Sequence, residues 1–71
     1  MDKLTIETAI AYVLGRETTW EDYRHLRVLG ARWDRREDLI EVVTKGEWEG
    51  LGEDRSAWGV WLQDGRIYGE C

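Results

Sequence analysis

From Thr5 onward the apolar residues recur with a helical period. Ile6, Ala9, Ile10, Val13 and Leu14 fall at i, i+3, i+4, i+7 and i+8, one stripe of a 3.6-residue repeat. Thr5 is placed to cap the free amides, Glu7 sits in the positive first turn, and Gly15 suits the left-handed position after a helix end. The pattern predicts a helix over residues 5–15 with one docking face. A second stripe follows at Trp20, Tyr23, Leu26 and Leu29, with Thr19 and Asp22 as a capping-box pair and Gly30 as a stop. It predicts a helix over residues 19–29, joined to the first as an αα-hairpin, with Arg24, His25 and Arg27 on its outer side.

Residues 34–45 admit two readings. Asp34 with Glu37 forms another capping-box signature and Gly46 supplies a stop, which favours a third helix. The β-branched run Leu39-Ile-Glu-Val-Val-Thr44 suits a strand that pairs with a later one. Beyond it the period drops to two. A short strand is expected at 47–51, a Gly-containing loop at 50–54, and strands at 57–62 and 66–70 joined by Asp64-Gly65. With that turn, Gln63 faces Arg66, Leu62 faces Ile67 and Trp61 faces Tyr68. Trp58, Val60, Leu62 and Ile67 then share one face, and Trp61 and Tyr68 the other. The expected fold is α+β: one domain of two or three N-terminal helices on a three-stranded antiparallel meander. A helix at 34–45 would bury Trp61 and Tyr68; a strand there would leave them as aromatic anchors.

The chain has 71 residues, enough for one small core. Five Trp and three Tyr with no Phe carry much of the apolar area. The net charge of −5 is unevenly spread: residues 1–23 sum to −3, residues 24–36 to +4 and residues 37–71 to −6. An acidic body with one arginine-rich segment favours cationic partners. Cys71 is the single cysteine, so no internal disulfide forms, and no stretch reaches the ~20 apolar residues of a membrane span. These features predict a soluble, cytoplasmic protein with a free terminal thiol.

Catalytic equipment is sparse. His25 is the sole histidine and Ser56 the sole serine, without the glycine context of a nucleophile elbow. One His and one Cys cannot make a structural zinc site, and no calcium-loop or phosphate-loop spacing occurs. The expectation is a non-enzyme with no cofactor and no metal. Three surface features remain as candidates. Arg24, Arg27, Arg32, Arg35 and Arg36 fit phosphate contact in a winged-helix order of elements, or else pairing with the excess of acids. Glu37, Asp38, Glu41, Glu47, Glu49, Glu53, Asp54 and Asp64 fit either a solubilising face or a row that mimics DNA phosphates, because alternate strand residues lie about 6.6 Å apart. Trp61 and Tyr68 with Arg66 fit an interface anchor.

In size, acidity and lack of catalytic residues the chain resembles the small phage-encoded anti-CRISPR proteins. That resemblance implies a stoichiometric inhibitor seated on a basic, nucleic-acid-binding surface of a CRISPR effector subunit, acting in the cytoplasm of a bacterial host. With it go the expectations of no direct nucleic-acid contact, no membrane contact, and a monomer or weak homodimer. The leading expectation is therefore a protein-binding inhibitor with an acidic surface. The alternatives are a winged-helix nucleic-acid binder using Arg24–Arg36, and a self-associating module using the Trp61/Tyr68 face.

Overall fold

The computed structural model describes all 71 residues as one helix followed by four strands: α1 (Ile6–Glu17), β1 (Tyr23–Asp34), β2 (Leu39–Trp48), β3 (Gly52–Gln63) and β4 (Arg66–Glu70). The strands form one antiparallel sheet in the order β1-β2-β3-β4. The expected two or three helices on a three-stranded meander are thus replaced by a single helix on a four-stranded one.

α1 starts as its sequence dictates. The Thr5 hydroxyl accepts from the Thr8 amide at 3.1 Å, while Thr8 Oγ1 accepts from the Thr5 amide at 2.8 Å, closing a reciprocal cap. The helix runs through Gly15 and ends two residues later, where the Thr18 amide donates back to the Leu14 carbonyl at 2.9 Å. Its stripe docks Ala9 and Val13 onto Ile40, Val42, Trp58 and Val60. Each fully buried branched side chain there contributes about 1.5–3 kcal/mol.

The segment expected as a helix at 19–29 is the approach to β1 and its first half. Thr19 does not cap a new helix; its hydroxyl donates back to the Arg16 carbonyl at 2.6 Å. Asp22 (φ 62°) and His25 (φ 59°) then adopt left-handed backbone that no helix tolerates. β1 also carries two bulges. Arg24 faces Glu47 and Arg27 faces Lys45, so His25 and Leu26 together oppose Gly46; Leu29 is the extra residue between Val28 and Gly30. One inserted residue turns a two-residue period into three, so the Tyr23–Leu26 spacing imitated a helical stripe.

Residues 34–45 resolve as a hairpin. Asp34 Oδ1 does accept from the amides of Arg36 (3.0 Å) and Glu37 (3.2 Å), but as a turn closed by Asp38 at φ 55°. The β-branched run after it is β2, with strict alternation: Ile40, Val42 and Thr44 are buried and the intervening residues are half-buried. Gly46 is not a helix stop. It lies within β2 beneath the Tyr23 ring, where a Cβ would come 2.4 Å from Tyr23 Cζ. The strand expected at 47–51 ends at Trp48, and the one expected at 57–62 begins already at Gly52.

The Asp64-Gly65 hairpin forms with the predicted register: Trp61 opposite Tyr68, Leu62 opposite Ile67 and Gln63 opposite Arg66. Asp64 (φ 53°) and Gly65 (φ 77°) supply the two positive φ angles of a type I′ turn. The helix C-terminus closes the other end of the sheet. Glu17 is fully buried, and its Oε2 accepts from Thr44 Oγ1 at 2.8 Å and Trp58 Nε1 at 3.0 Å. Beside it Trp20 stacks between Trp48 (5.8 Å) and Trp58 (6.1 Å), and Tyr23 packs on Trp48 at 4.4 Å. The Tyr23 hydroxyl is buried with no partner in hydrogen-bond geometry; burial first, then the charge of Glu17, pushes its pKa up against a smaller downward pull from the nearby Ser56 side chain.

Candidate functional site: the uncovered face of the sheet

A single helix covers one face of four strands, and antiparallel sheets tolerate an open second face. The residues on that face follow from the strand registers: Arg24, Arg27, Gly30, Arg32 and Asp34 from β1; Leu39, Glu41, Val43, Lys45 and Glu47 from β2; Glu53, Arg55, Ala57, Gly59, Trp61 and Gln63 from β3; Arg66, Tyr68 and Glu70 from β4.

Across the strands these residues make rows of distinct chemistry. At one end the Arg24–Glu47–Glu53 row sets two carboxylates directly opposite each other, an arrangement that cations must offset. Glu53 receives Lys45 at 3.2 Å and Arg27 at 3.3 Å; Glu47 receives His25 at 2.8 Å; Glu49, in the following turn, receives Arg24 at 3.1 Å. The hydrogen bond and charge of Lys45, then the charge of Arg27, hold the Glu53 carboxyl below its ordinary value. The next row is wholly cationic: Arg27, Lys45 and Arg55. The third row, Gly30, Val43 and Ala57, carries no charge and little relief. A shallow depression lies over it, lined by Leu29, Gly30, Arg32, Glu41, Val43 and Arg55. The fourth row is Arg32, Glu41, Gly59 and Glu70, with Arg32 on Glu41 at 3.4 Å.

The far end is aromatic. Trp61 and Tyr68 form a cross-strand pair, rings stacked at 6.5 Å and 25°, with Tyr68 41% exposed. Leu39 leans over Gly59, 3.4 Å from where a Cβ would stand, and widens this apolar corner. Because residues 39–48 form a strand and not a helix, nothing is laid over these rings.

The acidic residues proposed as a phosphate-like row do not share one surface. Glu37 and Asp38 lie in the β1–β2 turn and Asp64 in the β3–β4 turn, at the opposite end of the sheet from Glu47, Glu49 and Glu53. Glu41 joins the fourth row, and Asp54 accepts from Trp48 Nε1 at 3.2 Å. Glu47 and Glu49 straddle the strand end, so the expected strand spacing of carboxylates does not arise between them. The arginine cluster divides too. Arg24, Arg27 and Arg32 belong to the ion-paired face, whereas Arg35 and Arg36 stand at the β1–β2 turn.

Counting the Arg24–Glu49 pair with it, the open face holds six cations against six carboxylates; the rest of the molecule holds four cations against nine carboxylates. The acidity of the chain therefore lies outside this face. Sequence order hid that partition, because its ion pairs join residues 24–32 of β1 to residues 41–53. No three His, Cys, Asp or Glu side chains converge in a group suited to a metal, and no helix is long and apolar enough to cross a membrane. Neither a protein-family model, nor a curated protein, nor a solved structure matches the chain.

Proposed function

We propose that this chain is a non-enzymatic protein-binding module that engages its partner through the uncovered face of the sheet. The observation that carries the reading is the Trp61–Tyr68 pair, half-buried at Trp61 and exposed at Tyr68, next to the charged Arg32–Glu41–Gly59–Glu70 row. Aromatic anchors next to a polar rim are the side chains that dominate binding hot spots. The sheet edges are poorer candidates. β1 is bulged and arginine-rich, and the Ile67 amide of the short β4 already donates to Asp2 Oδ2 at 2.9 Å. Winged-helix binding of nucleic acid has no support, since the segment expected to read the groove is a hairpin.

The test is site-specific photocrosslinking in the cell that makes the chain. With p-benzoylphenylalanine in place of Ala57, on the open face, a protein adduct is expected. The same group in place of Ala11, on the outer side of α1, gives none. Absence of any adduct from Ala57 would overturn the reading.

The excess of carboxylates outside this face supports a second reading, the inhibitor of a CRISPR effector. Eight exposed carboxylates against four cations suit docking on a basic groove. Stoichiometric chain is then expected to stop target-DNA binding by a susceptible effector complex, and Glu37→Lys with Asp38→Lys and Asp64→Lys to relieve that block. Equal inhibition by the charge-reversed chain would refute it.

A further inference from the structure

We infer that the segment ahead of α1, Met1–Lys3, is a strap that closes the β4 edge of the sheet. Asp2 acts there in place of one residue of a further strand and keeps two copies of the chain from pairing edge to edge. The inference concerns the sheet edge and stands apart from the reading of the open face.

The bonds made by Asp2 carry the argument. Its amide donates to the Gly65 carbonyl at 2.7 Å, and its Oδ2 accepts from the Ile67 amide at 2.9 Å. One residue of a parallel strand set beside Arg66 would make the same two bonds, donating to Gly65 and accepting from Ile67. Here the side-chain carboxylate replaces the backbone carbonyl, so the chain turns away into α1 after a single rung. Its neighbours fasten it on both sides. The Lys3 carbonyl accepts from Thr8 Oγ1 at 2.7 Å, and that same hydroxyl closes the cap of α1. Met1 lies on the β3–β4 turn, its Cγ 3.1 Å from where a Cβ on Gly65 would stand.

Of the two sheet edges, β4 is the one that needs closing. β1 is interrupted by two bulges, which spoil it as a template, whereas β4 pairs with β3 without any register shift. Gln63 and Arg66 flank a two-residue turn and form a hydrogen-bonded pair, so the amides of Ile67 and Gly69 point away from β3. Asp2 occupies the first of these. The Tyr12 ring of α1 leans over the second, where a Cβ on Gly69 would come 2.5 Å from Cε1. Leu62, opposite Ile67, is an exposed apolar neighbour. A regular edge with free amides beside apolar side chains is what a second edge pairs with, and a carboxylate placed on it is an effective block.

Amide exchange and sedimentation of Asp2→Ala and Asp2→Asn test the proposal. Asp2 is exposed and outside the core, so both variants keep the fold. In dilute Asp2→Ala the Ile67 amide is expected to exchange at least about tenfold faster than in the wild-type chain. Asp2→Asn keeps a side-chain oxygen at the same place and is expected to retain most of the protection. At concentrations up to about 1 mM, Asp2→Ala is expected to self-associate more strongly than the other two chains. The Gly69 amide should gain protection as those edges pair. A wild-type exchange rate at Ile67 in Asp2→Ala overturns the proposal, as does an Asp2→Asn chain indistinguishable from Asp2→Ala. Association of Asp2→Ala no stronger than wild type, or association that leaves the Gly69 amide unprotected, overturns it too.

Discussion

Trp58 Nε1 donates to Glu17 Oε2 at 3.0 Å, tying the last turn of α1 to the middle of β3 across 41 residues of chain. The same oxygen accepts from Thr44 Oγ1 at 2.8 Å, so one buried carboxylate serves donors on two strands. Removing it orphans both. Each stranded donor costs roughly 1–3 kcal/mol, so Glu17→Ala is expected to lose about 2–4 kcal/mol in urea unfolding. Glu17→Gln keeps an acceptor at the same place and gives up a buried charge that has only neutral partners. Its loss is expected to stay within about 1 kcal/mol. Equal destabilisation by the two variants would show that the charge, and not the acceptor, holds the helix end.

The Tyr23 hydroxyl is buried with no partner in hydrogen-bond geometry, and burial with the nearby Glu17 charge raises its pKa above 10.0. A phenol whose folded pKa is raised leaves stability unchanged below the unfolded value. As pH climbs above about 10 the unfolded chain ionises first, so stability falls. Tyr23→Phe is expected to remove that alkaline slope. At pH 7 the variant should be no less stable than the wild type, since the deleted hydroxyl has no partner to lose. Denaturant midpoints at pH 7 and pH 10.5 for the two chains measure both effects.

Gly46 sits under the Tyr23 ring so closely that a Cβ would lie 2.4 Å from Cζ, 2.7 Å from the hydroxyl oxygen and 2.8 Å from Cε2. Gly46→Ala must therefore displace an aromatic that itself packs on Trp20 and Trp48. A loss of about 1–3 kcal/mol is expected, despite the better strand propensity of Ala. In a Tyr23→Ala background the same substitution should cost far less. The coupling in that double-mutant cycle is the measured quantity, and additivity of the two changes would dismiss the clash.

The parts legible in the sequence were those decided by neighbours in the chain. Thr5 caps α1 because its hydroxyl meets an amide three residues on, and Asp64-Gly65 sets the β3–β4 register because two positive φ angles are all that turn needs. β1 was hidden by its own irregularity, since the bulge at His25 and Leu26 produced a three-residue spacing that a period test assigns to a helix. Asp34 misled for a related reason: accepting from amides two and three residues ahead serves a hairpin turn as well as a helix start. The neutral character of the open face was beyond reach. It depends on Arg27 meeting Glu53, a pairing that exists only after β2 is placed between them.

Glu53 stands between Lys45 and Arg27, whose hydrogen bonds and charges lower its pKa from 4.5. A depressed carboxyl contributes stability above its unfolded pKa and loses it as pH falls through the folded one. The group is exposed, so this contribution is small and shrinks with salt. The sharper observable is the titration itself. Carbon-detected NMR of the Glu53 side chain should place its midpoint below that of an ordinary glutamate, and Lys45→Met should move it upward. A midpoint unaffected by Lys45→Met would mean the 3.2 Å contact carries no interaction in solution.

His25 holds the first bulge of β1 in left-handed backbone, φ 59°, while its Nδ1 meets Glu47 Oε2 at 2.8 Å. The two facts oppose each other energetically. A non-glycine residue in that region costs about 1–2 kcal/mol, and an exposed pair returns roughly 0–1 kcal/mol, less when the imidazole is neutral. His25→Gly removes both terms and is expected to stabilise the chain by about 0.5–1 kcal/mol, with the extra unfolded-state freedom of glycine trimming the gain. His25→Ala removes the pair while keeping the strain, and is expected to be neutral to mildly destabilising. The difference between the two variants isolates the backbone term. If His25→Gly is as unstable as His25→Ala at pH 7, the bulge is not strained, and the extra residue is held by contacts on the sheet alone.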